Sequence, residues 1–528
     1  MDNLRLCEVM ALKIERSDEW KEGFIERLEN RAPWDNWTLY KMSYDIAKAN
    51  LITDFNGLQS PKYLPNLTPL AHQLKVAETV IERMNGKAIL ADEVGLGKTI
   101  EAGLILKEYL IRGLVKKALI LAPASLVNQW IDELSQKFHI PAIQYRKNYD
   151  LSQCQIVVMS IDMAKRSPHK ENIYAQDYDL IIIDEAHKLK NHKTKNYEFV
   201  QNLKKKFCLL LTATPIQNNV FELFHLISLL KPGHLGNYEA FQSAFSASKH
   251  DVEHDEFLKE LVNQVMVRNR REDTGIEWTN RQVQIIPIQF TNEEKEVYNE
   301  IKLLKDLSPV FSAAFSMITL QREMCSSKEA LCLTLTKMKQ KCTKQEEISH
   351  VDALIQKIMQ LQINSKAEKV FDIISKVNDK VIIFTEYEAS QTYLQHYLYS
   401  KGIVSVHFNG RFNKNKRDWA KQLFRDKAQV LIATESGSEG INLQFCSHVI
   451  NYDLPWNPMK LEQRIGRVHR IGQENDVHIY NLAIQDTIED HILDLLYKKI
   501  GVFEKVVGEL DDILSFVNEQ QNPKSKTS

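Results

Sequence analysis

Two short strings in this chain contain residues whose types and spacing suit phosphate chemistry. The first string, DEVGLGKT, follows the apolar run KAILA and precedes the helical string IEAGLILKEYL. A glycine-rich loop between a strand and a helix exposes backbone N–H groups at a helix N-terminus, and such groups hold phosphate oxygens. We expect Gly95 and Gly97 to permit the tight turns, Lys98 to reach the β- and γ-phosphates and Thr99 to bind Mg²⁺. The predicted ATP-binding residues of this loop are Asp92, Glu93, Val94, Gly95, Leu96, Gly97, Lys98 and Thr99.

The second string is IIIDEAH, residues 181–187, in which two acids follow a run of apolar residues. An apolar strand that ends in acids places their carboxylates at the carboxyl edge of the sheet, where open α/β folds bind ligands. We expect Asp184 to hold the metal, directly or through water, and Glu185 to orient and deprotonate the attacking water. The two strings together predict a site that hydrolyses ATP with Mg²⁺.

Short apolar runs alternate with helical segments on both sides of a more polar middle region. Alternation of this kind predicts parallel, doubly wound sheets of the α/β class, whose strands are buried on both faces. The runs are residues 87–91, 117–122, 155–160, 178–184 and 207–213 before the middle region, and residues 380–387, 404–410, 428–435, 448–453 and 477–483 after it.

These patterns predict five segments along the chain. They are an N-terminal helical segment (1–60), a first lobe that binds ATP (61–270), a helical linker or insertion (271–365), a second lobe (366–505) and a C-terminal tail (506–528).

The bulk composition limits the contacts that the chain can make. The 528 residues carry a formal net charge of -1, so any site for a polyanion has to be a local groove. The N-terminus lacks a long apolar run, and no stretch of about 18 apolar residues occurs, so we expect neither a secretory signal nor a membrane-spanning helix. The seven cysteines are scattered without the spacing of a zinc site, which favours reduced thiols in a cytoplasmic protein.

Several strings resemble the Swi/Snf-type branch of helicase superfamily two, a group of DNA-translocating ATPases with two RecA-like lobes. An aspartate at the position of Asp92 is common in that branch, although the general phosphate loop has glycine there. The resemblance covers most of residues 65–505, and DEVGLGKTIEAG is most similar to bacterial members, including the class that associates with RNA polymerase. The matching strings are DEVGLGKT, DEAH, LTATPIQN (211–218), ILAPASLVNQW (120–130), SGSEGINLQ (436–444) and QRIGRVHRIGQ (463–473).

The resemblance implies roles for residues that spacing alone does not explain. Gln463 would help to position the attacking water, and Arg467 and Arg470 would contact the γ-phosphate from the second lobe. Arg464, Arg467 and Arg470 recur every three residues, which on a helix would place them near one face. Gln73 would read adenine, although an ordinary surface role is also open. Coupling of ATP state to lobe geometry is implied for Thr212, Thr214 and Gly440, although the two threonines could equally cap a strand end.

Small polar residues at predicted strand ends resemble the family's track along one DNA strand. Such groups can hold phosphates without reading bases, although each alone suits an ordinary turn. The Lys-rich stretch at 187–196 could add phosphate contacts or could simply be a solvated surface. The candidate nucleic-acid residues are Ser125, Ser160, Asn409, Gly410, Thr434 and Ser436.

The sequence therefore predicts an ATP-driven translocase on double-stranded DNA. The resemblance implies movement without strand separation, with RNA polymerase or another DNA-bound protein displaced or remodelled. One alternative is a strand-separating DNA or RNA helicase of the same superfamily. Another is a nucleotide-dependent scaffold or switch, against which Lys98, Asp184, Glu185, Arg467 and Arg470 argue.

Overall fold

A computed structural model defines the fold, and the described part of the chain falls into two compact units, Met1–Gly57 and Leu58–Ser528. Within the first unit, α1 (Glu19–Glu29) and α2 (Trp37–Asn50) are helices. None of the helices that the structure describes combines the length and apolar character needed to cross a membrane. The described residues are 19–29, 36–50, 57–147, 149–213, 215, 221–246, 252–306, 309–312, 314–412, 414–434, 437 and 442–496.

The second unit begins with a seven-stranded parallel sheet in the order β3-β4-β2-β5-β6-β1-β7. Its central strands are buried on both faces, which explains their nearly continuous apolar sequences. The strands are β1 (Lys87–Leu90), β2 (Ala118–Ala122), β3 (Ile143–Gln144), β4 (Ile156–Ser160), β5 (Tyr178–Asp184), β6 (Lys205–Leu211) and β7 (Met266–Val267).

Helices connect these strands and cover the sheet, as parallel pairing requires. Helix α4 contributes Leu104 and Leu106 to the apolar core on one side of the sheet, and α5 contributes Trp130 and Phe138. The helices are α3 (Ala71–Glu82), α4 (Lys98–Ile111), α5 (Val127–Phe138), α6 (Ile161–Ala164), α7 (His169–Tyr174), α8 (Lys195–Gln201), α9 (Phe221–Leu230), α10 (Tyr238–Ser246) and α11 (Val252–Asn263).

A second parallel sheet has six strands in the order β10-β11-β9-β12-β13-β8. The prediction of two doubly wound parallel sheets is therefore confirmed, and each of the ten apolar runs overlaps one of the observed strands. The strands are β8 (Arg281–Ile288), β9 (Val381–Thr385), β10 (Ser405–Phe408), β11 (Val430–Thr434), β12 (His448–Asn451) and β13 (Val477–Ile484).

The stretch predicted as a helical insertion, 271–365, contains helices and also strand β8. Strand β8 pairs with β13 over its whole length, from Arg281 opposite Val477 to Ile288 opposite Ile484. The chain therefore enters the second sheet at β8, forms the helices of residues 292–376, and then returns to the sheet at β9. The domain boundaries at 270 and 365 remain predictions.

The helices of the middle region pack on the second sheet and share one apolar core with it. Helix α12 begins with a capping box in which Thr291 and Glu294 satisfy each other's backbone N–H groups. The helices of the middle region and of the second lobe are α12 (Asn292–Leu303), α13 (Pro309–Ser312), α14 (Ala314–Ser326), α15 (Lys328–Lys339), α16 (Gln345–Gln360), α17 (Ser365–Lys376), α18 (Glu388–Ser400), α19 (Lys414–Asp426) and α20 (Pro458–Ile465).

Candidate active site

The glycine-rich loop joins buried strand β1 to helix α4, as its sequence predicts. Gly95 and Gly97 have φ angles of 97° and 96°, a left-handed conformation that side chains with a Cβ rarely adopt. Helix α4 begins at Lys98, directly after Gly97. The loop therefore presents backbone N–H groups at a helix N-terminus, which is an anion-binding arrangement.

The side chains of Lys98 and Asp92 hold this loop in shape. Lys98 Nζ donates to the carbonyl oxygens of Asp92 at 2.6 Å and Glu93 at 3.1 Å. Asp92 is fully buried and accepts from Asn269, through the backbone N–H at 2.8 Å and the side-chain amide at 2.9 and 3.1 Å. Asp92 therefore anchors the loop to the chain that follows β7.

A second buried carboxyl, that of Glu101, lies behind the loop with Asp92 and His72. Their possible ligand atoms all lie within 4.8 Å of one another. Burial, followed by the charge of Asp92, raises the pKa of Glu101 well above its usual value. Burial beside the Asp92 carboxyl therefore favours the protonated form of Glu101.

The two acids of the second string lie at the carboxyl end of β5, as predicted. Asp184 Oδ2 accepts a hydrogen bond of 2.9 Å from the indole N–H of Trp130, and Asp184 Oδ1 accepts one of 2.8 Å from the Glu185 backbone N–H. Glu185 has φ 52°, and its carboxylate lies 3.0 Å from His187 Nδ1. This left-handed turn at a non-glycine residue directs the second acid away from the strand.

The two acids differ in proton affinity. Burial, followed by the charge of Glu185, raises the pKa of Asp184 to about 6. Burial alone would also raise the pKa of Glu185, but His187 and Arg467 lower it overall below its usual value. Glu185 is therefore ionised at neutral pH and able to accept a proton, as a general base must be.

One cavity brings the predicted catalytic residues of both lobes together. Glu185 lines it from the first lobe, and Gln463, Arg467 and Arg470 line it from the second. Burial lowers the pKa of Arg470, although the charge of Glu133 opposes that shift. The lining residues are Val94, Gly95, Gly97, Lys98, Thr99, Leu126, Gln129, Trp130, Asp184, Glu185, Thr212, Ala213, Gln463, Gly466, Arg467 and Arg470.

The interpretation that three arginines share a helix face is wrong. Helix α20 ends at Ile465, so Arg467 and Arg470 lie in the turns that follow it. Arg464 is 2% exposed and donates to the Asn451 side chain at 3.3 Å and to the Asp453 carbonyl at 2.7 Å. Tertiary packing thus assigns Arg464 to the core of the second lobe and leaves the other two for the cavity.

Four of the predicted ATP-binding residues are not among the described residues that line this cavity. Gln73 donates to the Leu96 carbonyl at 2.9 Å and accepts from the Leu70 N–H at 3.0 Å. Glu93 accepts from the backbone N–H of Arg271 at 3.1 Å. Asp92 and the Leu96 side chain are completely buried. In this conformation the four residues support the loop from behind.

The chemistry of the donors fits a magnesium ion. Thr99 and Asp184 line the same cavity and supply hydroxyl and carboxylate oxygens, which are the ligands that Mg²⁺ prefers. A bound cation would also favour the ionised form of Asp184, against the effect of burial.

The candidate nucleic-acid residues lie at the carboxyl ends of neighbouring strands. Ser125 follows β2 and Ser160 ends β4, which are adjacent in the first sheet. Asn409 and Gly410 follow β10 and Thr434 ends β11, which are adjacent in the second sheet.

Two of these side chains already make local hydrogen bonds. Ser160 Oγ caps α6 by accepting from the Met163 N–H, and Asn409 Oδ1 accepts from the Arg411 N–H. Thr212 is buried at the end of β6 and lines the cavity. Thr214, Ser436 and Gly440 lie outside the described residues.

Sequence reasoning missed contacts that depend on tertiary structure. Trp130 stands in the quoted string ILAPASLVNQW, yet nothing in that string shows that its indole reaches Asp184. Asn269, Arg271 and His469 likewise contact the phosphate loop or its surroundings from distant positions in the chain.

Comparison with known families identifies two matching domains. The SNF2-related domain matches residues 72–373, and the helicase conserved C-terminal domain matches residues 365–472. Together they cover residues 72–472, which include every residue that lines the cavity and all the described strands except β13.

Comparison with individual proteins gives similar results. The chain is 62% identical over 500 residues to the ATP-dependent helicase YqhH of Bacillus subtilis (strain 168), covering 94% of this chain and 90% of that protein. It is 29% identical to the RNA polymerase-associated protein RapA of Haemophilus influenzae (strain PittEE), covering 83% of this chain but only 47% of that protein. A Sulfolobus solfataricus SWI2/SNF2 ATPase core, solved in complex with double-stranded DNA, aligns with 24% identity and a TM-score of 0.41, over 89% of this chain and 99% of that one.

Proposed function

Because the chain belongs to the SNF2-related family of ATP-hydrolysing helicase-type enzymes, we propose that it is an ATP-driven translocase on double-stranded DNA. Its hydrolysis cycle would move the two lobes along the duplex without separating the strands. The observation that carries this proposal is the cavity lined by the glycine loop and the acids of one lobe and by two arginines of the other.

Lys98 and the loop N–H groups would bind the β- and γ-phosphates of ATP. Glu185 is ionised and would accept a proton from the attacking water, which Gln463 would help to orient. Arg467 and Arg470 would stabilise the charge that develops on the γ-phosphate. Thr99 and Asp184 would hold Mg²⁺, which neutralises phosphate charge when bound.

Both lobes must be closed for this chemistry, since the arginines and the acids belong to different sheets. Opening of the lobes after hydrolysis would separate the arginines from the acids. Alternate closing and opening of the lobes can drive steps along the DNA.

Duplex DNA is the favoured track because the candidate contacts are small polar groups at strand ends on both lobes. Such groups suit the sugar–phosphate backbone and carry no base readout. The net charge of -1 agrees with a confined groove. RNA polymerase or another DNA-bound protein would be the object that the motor displaces, by analogy with the RNA polymerase-associated protein RapA, although the chain spans only 47% of that relative.

The experiment that tests this function compares wild type, Lys98→Ala and Glu185→Gln in a steady-state ATPase assay. We expect duplex DNA of any sequence to stimulate wild type, with less stimulation as salt rises. Lys98→Ala should lose most ATP affinity or turnover, and Glu185→Gln should bind ATP but hydrolyse it slowly, because an amide cannot accept the proton. Wild type should displace a triplex strand and should leave a forked duplex paired.

Other outcomes would contradict the proposal. Normal turnover by Glu185→Gln would show that the general base is misassigned. Much stronger stimulation by single-stranded RNA, or efficient unwinding of the fork, would favour a strand-separating helicase. Slow, DNA-independent hydrolysis by wild type would favour a nucleotide-dependent switch. Capture of RNA polymerase by immobilised Glu185→Gln with ATP would support that partner, and its absence from the bound fraction would count against it.

A further inference from the structure

The chain between β7 and β8, residues 268–280, joins the first sheet to the second. The beginning of this segment is bound to the phosphate loop. The Asn269 side-chain amide donates to both carboxylate oxygens of Asp92, and the Asn269 carbonyl accepts from the Glu93 N–H at 3.2 Å. The segment is therefore a structural continuation of the nucleotide site.

One side chain in this segment contacts both lobes. Arg271 Nη2 donates to the Val94 carbonyl of the phosphate loop at 2.8 Å. Its Nη1 lies 3.0 Å from Nδ1 of His469, the residue immediately before Arg470. The Arg271 guanidinium also lies over the Trp278 ring, 4.8 Å from its centroid. A planar fork with several donors suits this double contact, whereas an ammonium group could serve only one end of it.

His469 completes the contact as a neutral acceptor. Its Nε2 lies 2.9 Å from the Thr279 carbonyl, so the proton is assigned to Nε2 and Nδ1 has a free lone pair. Nδ1 then accepts from Arg271 and, at 2.7 Å, from Arg281 Nε. Burial, followed by the charge of Arg281, lowers the pKa of His469, while the Thr279 carbonyl and Glu462 oppose this shift.

The charged groups around His469 are mutually paired. Arg281 Nη1 donates to Glu462 at 2.9 Å, and Glu93 accepts from the Arg271 backbone N–H. The Trp278 ring contacts His469 edge to face, with centroids 5.5 Å apart.

The two lobes touch directly beside this network. A Cβ built on Gly95 would lie 3.2 Å from Arg470 Cβ, so the phosphate loop packs on the backbone of the arginine segment, residues 467–470. A side chain larger than that of glycine at position 95 could not fit between them. A small change in this contact would change the distance from loop to arginines directly.

We propose that Arg271 and His469 are positioning residues that fix the separation between the phosphate loop and the arginine segment when the lobes close. This inference rests on the proposed function, because the separation matters for turnover only if Arg467 and Arg470 act on the γ-phosphate. A contact that exists only between closed lobes contributes to catalysis more than to ATP binding or to the stability of either lobe.

The test measures DNA-stimulated kcat, ATP Kd and melting temperature for Arg271→Met, His469→Ala and the double variant. Arg146→Met, which removes an exposed guanidinium elsewhere on the first lobe, is the matched control. We expect each single variant to lower kcat about tenfold or more, since an error of about 1 Å in positioning is costly, while ATP Kd changes less than about threefold. Arg271→Lys should recover little of the loss.

The double variant separates positioning from independent structural roles. If the two residues act through one contact, the double variant should be no slower than the slower single variant. Losses in kcat that multiply, losses explained by ATP Kd, or turnover equal to that of Arg146→Met would each overturn the proposal.

A pH profile supplies a second readout that a merely structural role would not change. Protonation of His469 Nδ1 removes the acceptor, so closure is progressively disfavoured as pH falls below the ordinary histidine pKa of about 6.5. His469→Asn keeps an oxygen acceptor that does not titrate, so its acid loss should be smaller than that of wild type. Equal acid losses would overturn the assignment.

Arg467→Ala, measured beside these variants, separates a failure of the positioning proposal from a failure of the proposed role of the arginines. If Arg467→Ala is slow and the Arg271 and His469 variants are not, the positioning proposal alone fails. If Arg467→Ala turns over like wild type, the proposed role of the arginines fails first.

Discussion

Adding one methyl group at Gly466 should impair hydrolysis while leaving ATP binding largely intact. Gly466 follows helix α20 with φ -64° and ψ -7°, a conformation that alanine adopts without strain, so the effect must come from contacts. A Cβ at this position would lie 2.3 Å from Val94 Cγ1 and 3.2 Å from the Glu462 carbonyl. Ordinary carbon contacts are about 3.5 Å or longer, so Val94 and Gly466 must separate by at least about 1.2 Å.

Val94 has little freedom to yield. Its side chain is β-branched, with few accessible rotamers, and its carbonyl is held by Arg271. The displacement therefore passes to the interface between the phosphate loop and the arginine segment. A misplacement of about 1 Å costs on the order of 10²-fold in rate, or about 2.7 kcal/mol. Phosphate contacts within the first lobe would be retained, so ATP Kd should change much less.

The assay is DNA-stimulated ATP turnover of Gly466→Ala at saturating ATP, with ATP Kd measured by direct titration. Gly23→Ala is the matched control, since a Cβ there meets nothing within 4 Å. Val94→Ala should partly rescue Gly466→Ala, because the closest remaining atom of that residue, its Cβ, lies 3.4 Å away. Wild-type turnover by Gly466→Ala, or a double variant no faster than the single one, would refute the reasoning.

Two further predictions concern groups that line the same cavity. Trp130→Phe removes a donor that lowers the Asp184 pKa, which burial and then Glu185 raise to about 6, so that pKa should rise further. Activity that needs ionised Asp184 is lost as pH falls through its pKa, so the acid limb of the kcat profile should move to higher pH; an unmoved limb would contradict this. Arg467→Ala or Arg470→Ala should lower kcat at least about tenfold with a smaller change in ATP Kd, and lysine should not restore it fully. Unchanged kcat in either alanine variant would show that the cavity does not use that arginine.

Strands with long apolar runs could be predicted from sequence because their burial on both faces leaves a local signal. Strand β5 coincides with the run YDLIIID, and β2 and β9 are buried at every position. Strands β3 and β7 have two residues each, which is too short to show a period. Strand β8 reads RQVQIIPI, is largely exposed at the edge of the sheet and contains Pro287, so only its partner β13 identifies it.

The residues of the site likewise divide into those that the sequence could locate and those that it could not. Residues 92–99 and the Asp184–Glu185 pair could be located because each group is continuous in sequence and follows a buried strand. The Trp130–Asp184 contact could not, because it joins residues on separate elements. The helix-face interpretation of the arginines failed because α20 ends at Ile465, before Arg467 and Arg470. Local pattern thus predicts what a residue can do, and tertiary packing decides which residues do it together.

The position of β8 has a consequence for how the protein is made. Arg281 pairs with Val477, which the ribosome adds 196 residues later (477 - 281). At about 5 to 20 residues per second, roughly 10 to 40 s of synthesis separate the two strands. The strands of the first sheet are all synthesised once β7 is made, so that lobe can fold early during the interval, whereas β8 has to wait with the backbone groups of its β13-facing edge unpaired. Nascent chains that stall between β8 and β13 would therefore carry a folded first lobe followed by an unpaired, aggregation-prone strand. This is the interval of synthesis in which we expect a chaperone to be needed most.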